Sequence, residues 1–129
     1  MIIAIDGLAG SGKSSTAKKV ANKIGFNYFS TGKMYRSITC YCIEKGLLSS
    51  LPDSISNRID NLEINFEKDN FNKILIDKND YNENIYSKEV NKYVSIVSSI
   101  EKVRTRMVQL QRSAGKNNNI VCEGRDIGT

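Results

Sequence analysis

The first fourteen residues, Met1 to Ser14, restrict the fold of this chain more than any other stretch. Ile2 to Ile5 is an apolar run of the kind that forms a strand buried on both faces of a parallel sheet. It breaks into Gly7-Leu8-Ala9-Gly10-Ser11-Gly12-Lys13-Ser14, which fits G-x-x-x-x-G-K-S/T, the phosphate-binding P-loop. Gly7, Gly10 and Gly12 allow a tight backbone whose amide N–H groups point at phosphate oxygens. Lys13 supplies a point charge for the β- and γ-phosphates, and the Ser14 hydroxyl suits Mg²⁺. A helix from about Lys13 aims its positive dipole end at the same anion. Ala17, Val20, Ala21 and Ile24 recur at helical spacing, with Lys18, Lys19, Asn22 and Lys23 facing away and Gly25 as the stop. Strand, glycine loop and amphipathic helix together specify a nucleotide-phosphate site.

Composition narrows the class further. At 129 residues the chain is about one domain, and 40% hydrophobic with 26% charged residues suits a soluble globular protein. No apolar run approaches the ~20 residues that span a bilayer, and there is no secretory signal, so the expectation is a cytoplasmic protein. Histidine is absent, which excludes His-ligated metals and His-based catalysis. Cys40, Cys42 and Cys122 lack zinc-ligand spacing and read as free thiols. The net charge of +5 points to anionic partners. Its lysines are spread along the chain without an aromatic-rich binding motif, so nucleic acid is not expected as a partner.

Along the chain, Phe26 to Phe29 reads as a short strand. Ser30-Thr31-Gly32 then opens a helix with a hydroxyl cap, carrying Met34, Ile38 and Tyr41 or Cys42 as far as Lys45-Gly46. Pro52 opens a further helix from Asp53 to Asn61, with Ile55, Ile59 and Leu62 on one side. From Leu62 the period changes to two: Leu62, Ile64 and Phe66 alternate with Glu63, Asn65 and Glu67, a half-buried antiparallel strand. Residues 68–72 read as its turn, 73–77 as the return strand, and Tyr81 to Ile85 as a short third strand. Ser87 caps a helix with Val90, Tyr93, Val94 and Val97 on its apolar face. Another runs from Ile100 to Ser113, followed by a loop over Gly115 to Asn119. Ile120-Val121-Cys122 is a second buried parallel strand. The expected fold class is α/β: a parallel sheet flanked by helices, with a small inserted antiparallel subdomain. Residues 1–61 and 87–129 form the core and residues 62–86 the insert.

A P-loop does not say what is done with its nucleotide. Neither a D-x-x-G nor an N-K-x-D motif is present, which argues against a GTPase. Lysine outnumbers arginine by about two to one, so an arginine beside glycine and aspartate, as in Gly124-Arg125-Asp126, suggests a need for its bidentate fork. Arg36 and Arg104 sit at the helices on either side of the inserted sheet. Three forks from separate elements could converge on a second phosphate opposite the P-loop. Arg58, Arg106 and Arg112 read as solvated surface arginines.

Four segments carry a family resemblance: Ile5 to Ser14, Ser30 to Arg36, Val94 to Arg104, and Glu123 to Thr129. In identity, order and spacing they resemble the bacterial cytidylate (CMP) kinase family, and the inserted hairpin sits where that family carries its nucleoside-monophosphate-binding subdomain. The resemblance implies a P-loop nucleoside-monophosphate-kinase-like fold and Mg²⁺·ATP-dependent phosphorylation of CMP or dCMP. Gly7, Leu8, Ala9, Gly10, Ser11, Gly12, Lys13, Ser14 and Ser15 would hold the ATP phosphates, with Ser14 on the metal. Arg36 and Arg125 would hold the acceptor phosphate and, with Lys13, act in catalysis; Thr31 and Tyr35 would line the same pocket. Ser95, Arg104 and Asp126 would read cytosine. Two positions depart from the family's pattern. Ser30 stands where an acidic residue is usual, and Lys33, where a small residue is usual, either adds a phosphate contact or points to solvent.

The resemblance covers the N-terminal part of the family's usual length. Its lid and later arginines would lie beyond Thr129, leaving the sheet incomplete and this chain alone inactive or weak. A monomer acting on small-molecule substrates, with no membrane partner, is expected. The alternatives are a non-catalytic nucleotide-binding module and another P-loop small-molecule kinase.

Overall fold

The computed structural model describes residues 1–6, 13–67 and 70–124. Strand β1 (Ile2–Asp6) precedes helix α1 (Lys13–Ile24), β2 (Asn27–Ser30), α2 (Thr31–Glu44) and the short α3 (Asp53–Ser56). Then follow β3 (Ile64–Glu67), β4 (Asn70–Ile76), β5 (Asn79–Asp80), α4 (Lys88–Ser98), α5 (Glu101–Asn117) and β6 (Ile120–Gly124). Three parallel strands make the main sheet in the order β1-β6-β2, and β3-β4-β5 make a small antiparallel one. The expected α/β class is the one observed.

Alternation along β6 sorts its side chains to two faces. Val121 meets Ala17 and Ala21 of α1, in a cluster edged by Ile3, Ile5, Val20, Phe26 and Tyr28. On the opposite face Ile120, Cys122 and Phe29 join the larger core of Met34, Ile38, Val90, Val97, Val103 and Met107 from α2, α4 and α5. Ile64, Ile74 and Ile76 of the small sheet belong to that same core, and the rings of Phe29 and Phe66 stand 5.3 Å apart between the two sheets. Helix α2 ends in a Schellman arrangement. Gly46, at φ +68°, donates to Ile43 O, while Leu47 N donates to Cys42 O at 2.9 Å and its side chain is buried.

Several expectations from the sequence are corrected. Strand β1 is not buried on both faces. As an edge strand it covers Ile3 and Ile5 only partly, while Ile2 and Ala4 are exposed. Ile24, expected on the apolar stripe of α1, is 44% exposed at the helix end. The helix expected over Asp53 to Asn61 is one turn, α3, then a 3₁₀ turn at Ile59–Asn61. Ile55 and Ile59 are nonetheless buried, because two short turns present the same apolar spacing as one helix. Strand β4 starts at Asn70, earlier than the expected Lys73, and Lys68 and Asp69 lie outside the described residues.

The next hairpin turns at Asp77 and Lys78, both at positive φ, as a tight two-residue loop of right-handed twist requires. That puts the third strand at Asn79–Asp80 and turns Asn82–Asn84 into a 3₁₀ segment; Tyr81 and Ile85 anchor it in the core. Finally, α5 runs through Gly115 to Asn117 where a loop was expected. Gly115 does not stop the helix; it makes room, since a Cβ there would meet the side chain of Ile2.

All three thiols are buried. Loss of solvation pushes Cys42 and Cys122 up to about 12 from the ordinary 9.0. A thiol whose folded value lies above its unfolded one contributes stability below the unfolded value and loses it as pH rises towards the folded one. Folding stability is therefore expected to fall from about pH 9 upward, read as a decreasing urea midpoint, and less steeply in Cys122→Ala. At pH 8 a disulfide reagent should modify the native thiols at least about 100-fold more slowly than the urea-unfolded ones.

Candidate active site

Parallel strands end together, so the carboxyl ends of β1, β6 and β2 form one edge, with Ile5, Glu123 and Ser30 abreast. Both helices that follow strand ends, α1 and α2, begin there, and their N-terminal N–H groups face the same rim. Such an edge is where open α/β sheets take their ligands. Gly7 to Gly12 and Arg125, Asp126 and the remaining residues to Thr129 lie outside the described residues. Lys13, Ser14 and Ser15 occupy the first turn of α1, as the P-loop pattern requires.

Helix α2 is fixed at this rim by hydroxyls. Ser30 is its N-cap and accepts from Lys33 N at 3.4 Å. Thr31, buried, donates its hydroxyl to Glu123 O at 3.1 Å, joining the helix start to the end of β6. The proton of the Thr31 hydroxyl is thus engaged with the backbone, which leaves its oxygen as acceptor. Ser37 and Thr39, also buried, donate back to Lys33 O and Tyr35 O within the helix.

Glu123 is a functional candidate that the sequence reading passed over. Its carboxylate is buried, only 3% exposed, at the end of the central strand, and Oε1 accepts from the Tyr28 hydroxyl at 3.3 Å. Lys18 lies 5.6 Å over the Tyr28 ring. Lys33 is half-buried rather than pointing to solvent, and its amine is held below the usual lysine value by burial first and Lys18 second, against the pull of Glu123. At this edge the carboxylate can orient a cation, whereas the ammonium groups of Lys18 and Lys33 can counter the charge of a phosphate ligand. The sequence signal was present: an acidic residue at the end of an apolar strand, just before Gly124-Arg125-Asp126.

The acceptor-side candidates gather between α2, α4 and α5. Tyr35 is half-buried; burial raises its hydroxyl above the ordinary value and the Arg104 guanidinium opposes that rise, which brings α5 to α2. Arg104 itself is exposed. Arg36 donates through Nη1 to Ile85 O at 2.9 Å and to Asn91 Oδ1 at 2.6 Å, and its guanidinium lies 4.8 Å over the Tyr86 ring. Ser95 is exposed on α4, one turn beyond Asn91 and so on the same side of that helix. Arg106, expected as a solvated surface residue, is instead half-buried with Nη2 donating to Leu62 O at 3.0 Å. Of the second-site arginines, Arg36 and Arg104 are brought to neighbouring faces. Asn91 and Tyr86, absent from the sequence reading, are side chains that touch Arg36.

A family model described as cytidylate kinase matches residues 3–129, nearly the whole chain. The chain belongs to the cytidylate kinase family. It is 43% identical to a cytidylate kinase of Pelodictyon phaeoclathratiforme over 132 aligned positions, covering all of this chain and 56% of the relative. A cytidylate kinase of Clostridioides difficile is 41% identical over 129 positions, again all of this chain and 58% of the relative. One of Thermotoga maritima is 43% identical over 128 positions, 98% of this chain and 57% of the relative. The chain therefore spans a little over half the length of these curated relatives. Within the cytidylate kinase family the α/β sheet, the P-loop strand and helix, and the small antiparallel sheet are the expected frame. No helix among the described residues is long and apolar enough to cross a membrane.

The Thr31–Glu123 bond gives a direct test of how the rim is built. Thr31→Val should cost about 1–2 kcal/mol in urea unfolding, because Val fits the space but leaves a buried carbonyl without its donor. Thr31→Ser should recover most of that loss.

Proposed function

We propose that the protein of which this chain is part phosphorylates CMP and dCMP with ATP, as its family name suggests. The observation that carries the reading is the rim itself. The N-terminus of α1, in P-loop context, and the N-terminus of α2, the helix that carries Arg36, stand at the same end of one parallel sheet. On this reading residues 62–86 are the nucleoside-monophosphate-binding insert between core segments 1–61 and 87–129. The protein works as a cytoplasmic monomer on small-molecule substrates.

Gly7, Leu8, Ala9, Gly10, Ser11, Gly12, Lys13, Ser14 and Ser15 take the ATP phosphates, the backbone amides by hydrogen bonds and Lys13 by charge. Arg36 and Arg125 clamp the acceptor phosphate, with Tyr35 and Thr31 beside it. Ser95, Arg104 and Asp126 read the base. A carboxylate accepts from the exocyclic N4 amine of cytosine, whereas uracil presents O4 and sets acceptor against acceptor. Mismatched hydrogen bonds in a site built for a specific donor discriminate by up to about 10⁴.

The donor set fits Mg²⁺: the Ser14 hydroxyl and the buried Glu123 carboxylate are hard oxygen donors of the kind that ion takes. When bound, the ion would neutralise the charge on the transferring phosphoryl group. This chain's own residues align donor and acceptor phosphates and exclude water; phosphoryl transfer needs little more from side chains than position and charge.

A coupled ADP-release assay of the protein as its gene encodes it, with CMP, dCMP, UMP and AMP, decides the matter. Cytidine nucleotides should give the highest kcat/KM, and preference for UMP or AMP would overturn the assignment. Asp126→Asn, whose amide can also donate to O4, should cut the preference for CMP over UMP by roughly tenfold or more.

A further inference from the structure

We propose that Asn91 is a positioning residue for Arg36, holding its guanidinium so that only the Nε–Nη2 edge is presented to a phosphate. The proposal rests on the reading of Arg36 as an acceptor-phosphate ligand and adds which edge is used and what fixes it. A guanidinium carries five N–H donors: two on Nη1, two on Nη2 and one on Nε. Both Nη1 protons are engaged, one with Ile85 O at 2.9 Å and one with Asn91 Oδ1 at 2.6 Å. Among the described residues Nε and Nη2 have no hydrogen-bond partner. Side by side on one edge, these two groups match two oxygens of a phosphate.

The holder is itself held. Asn91 donates its Nδ2 to Tyr86 O at 3.4 Å, which assigns the amide so that Oδ1, the only acceptor it has, turns to Arg36. Asn91 lies one turn into α4, whose start is capped by Ser87 Oγ accepting from Val90 N at 3.2 Å. Ile85 is anchored in the core, only 3% exposed, so its carbonyl is a fixed acceptor. Tyr86, in contrast, is 61% exposed and lies against the guanidinium face, blocking rotation out of that plane. Residues 85–91 therefore form a bracket that leads out of the small sheet and holds Arg36 by two hydrogen bonds to Nη1 and by the Tyr86 ring on its face. The arginine meets its ligand already ordered, so less conformational entropy is lost on binding.

Two readouts test this on the protein as its gene encodes it. The first is steady-state kinetics. Asn91→Ala should raise KM for CMP about 2- to 10-fold while leaving KM for ATP within about twofold, as expected for freeing one ordered side chain at the acceptor site only. In an Arg36→Lys background, where no fork exists to be positioned, the same Asn91 change should have less than about a twofold effect. Tyr86→Leu, which keeps bulk but removes the aromatic face, should raise KM for CMP in the same direction and serves if Asn91→Ala folds poorly. The second readout needs no activity: by NMR, the Arg36 Nη1 and Nη2 groups should give separate signals in the wild type and averaged ones in Asn91→Ala. An Asn91 effect of equal size with and without Arg36, equal effects on ATP and CMP, or free rotation of the wild-type guanidinium would overturn the proposal. Failure of the wild type to phosphorylate any nucleoside monophosphate would overturn the functional reading alone, and the NMR signals would still decide the bracket.

Discussion

The structure depends on the parallel pairing of β6 with β1 on one side and β2 on the other. Among the described residues β1 and β2 are not paired with each other; β6, arriving about a hundred residues after β1, brings the P-loop strand and the start of α2 into one sheet. Loop closure over such a separation is costly in entropy, and the cost is offset where β6 is buried on both faces. Val121 is enclosed by α1, and Ile120 and Cys122 by the main core. The rim at the carboxyl ends is a by-product of that pairing, because strands that run the same way must end at the same edge.

The second constraint is that the small sheet does not have a core of its own. Ile64, Ile74 and Ile76 share one cluster with α2, α4 and α5, and Phe66 meets Phe29 of the main sheet. A two- or three-stranded ribbon of this size is marginal alone. Packed this way, it delivers residues 85–91 to a fixed place beside α2, where they hold Arg36. Packing of the small sheet and the hydrogen bonds that hold Arg36 are thus consequences of the same burial. The Tyr35–Arg104 approach between α2 and α5 depends on that core too.

Much of this was legible in the residues. The P-loop strand and helix, the Ser30 and Ser87 caps, the alternation at residues 62–67 and the buried strand at residues 120–122 all follow from local chemistry. So do the second-site candidates Arg36 and Arg104, by their rarity and placement. What failed did so where local signals were ambiguous. Gly115 reads as a helix stop, yet it serves a close approach of Ile2 that no neighbouring residue announces. Pro52 to Leu62 carries helical spacing that two separate turns satisfy equally well. Asn91 and Glu123 were missed because an asparagine in a helix and an acid after a strand are ordinary until their partners are known.

Sequence alone determined the strand and helix on either side of the P-loop pattern, the order of strands and helices, and the membership that four short segments announce. These rest on backbone freedom at glycine, on hydroxyl caps and on hydrophobic period, all of which act within a few residues. Tertiary structure alone decided that Thr31 spends its proton on the Glu123 carbonyl, that Lys33 is half-buried, and that Arg36 is gripped through one nitrogen by a segment about fifty residues away. Hydrogen bonds and desolvation depend on which groups meet in space. At the P-loop edge that meeting is arranged by a strand from the far end of the chain.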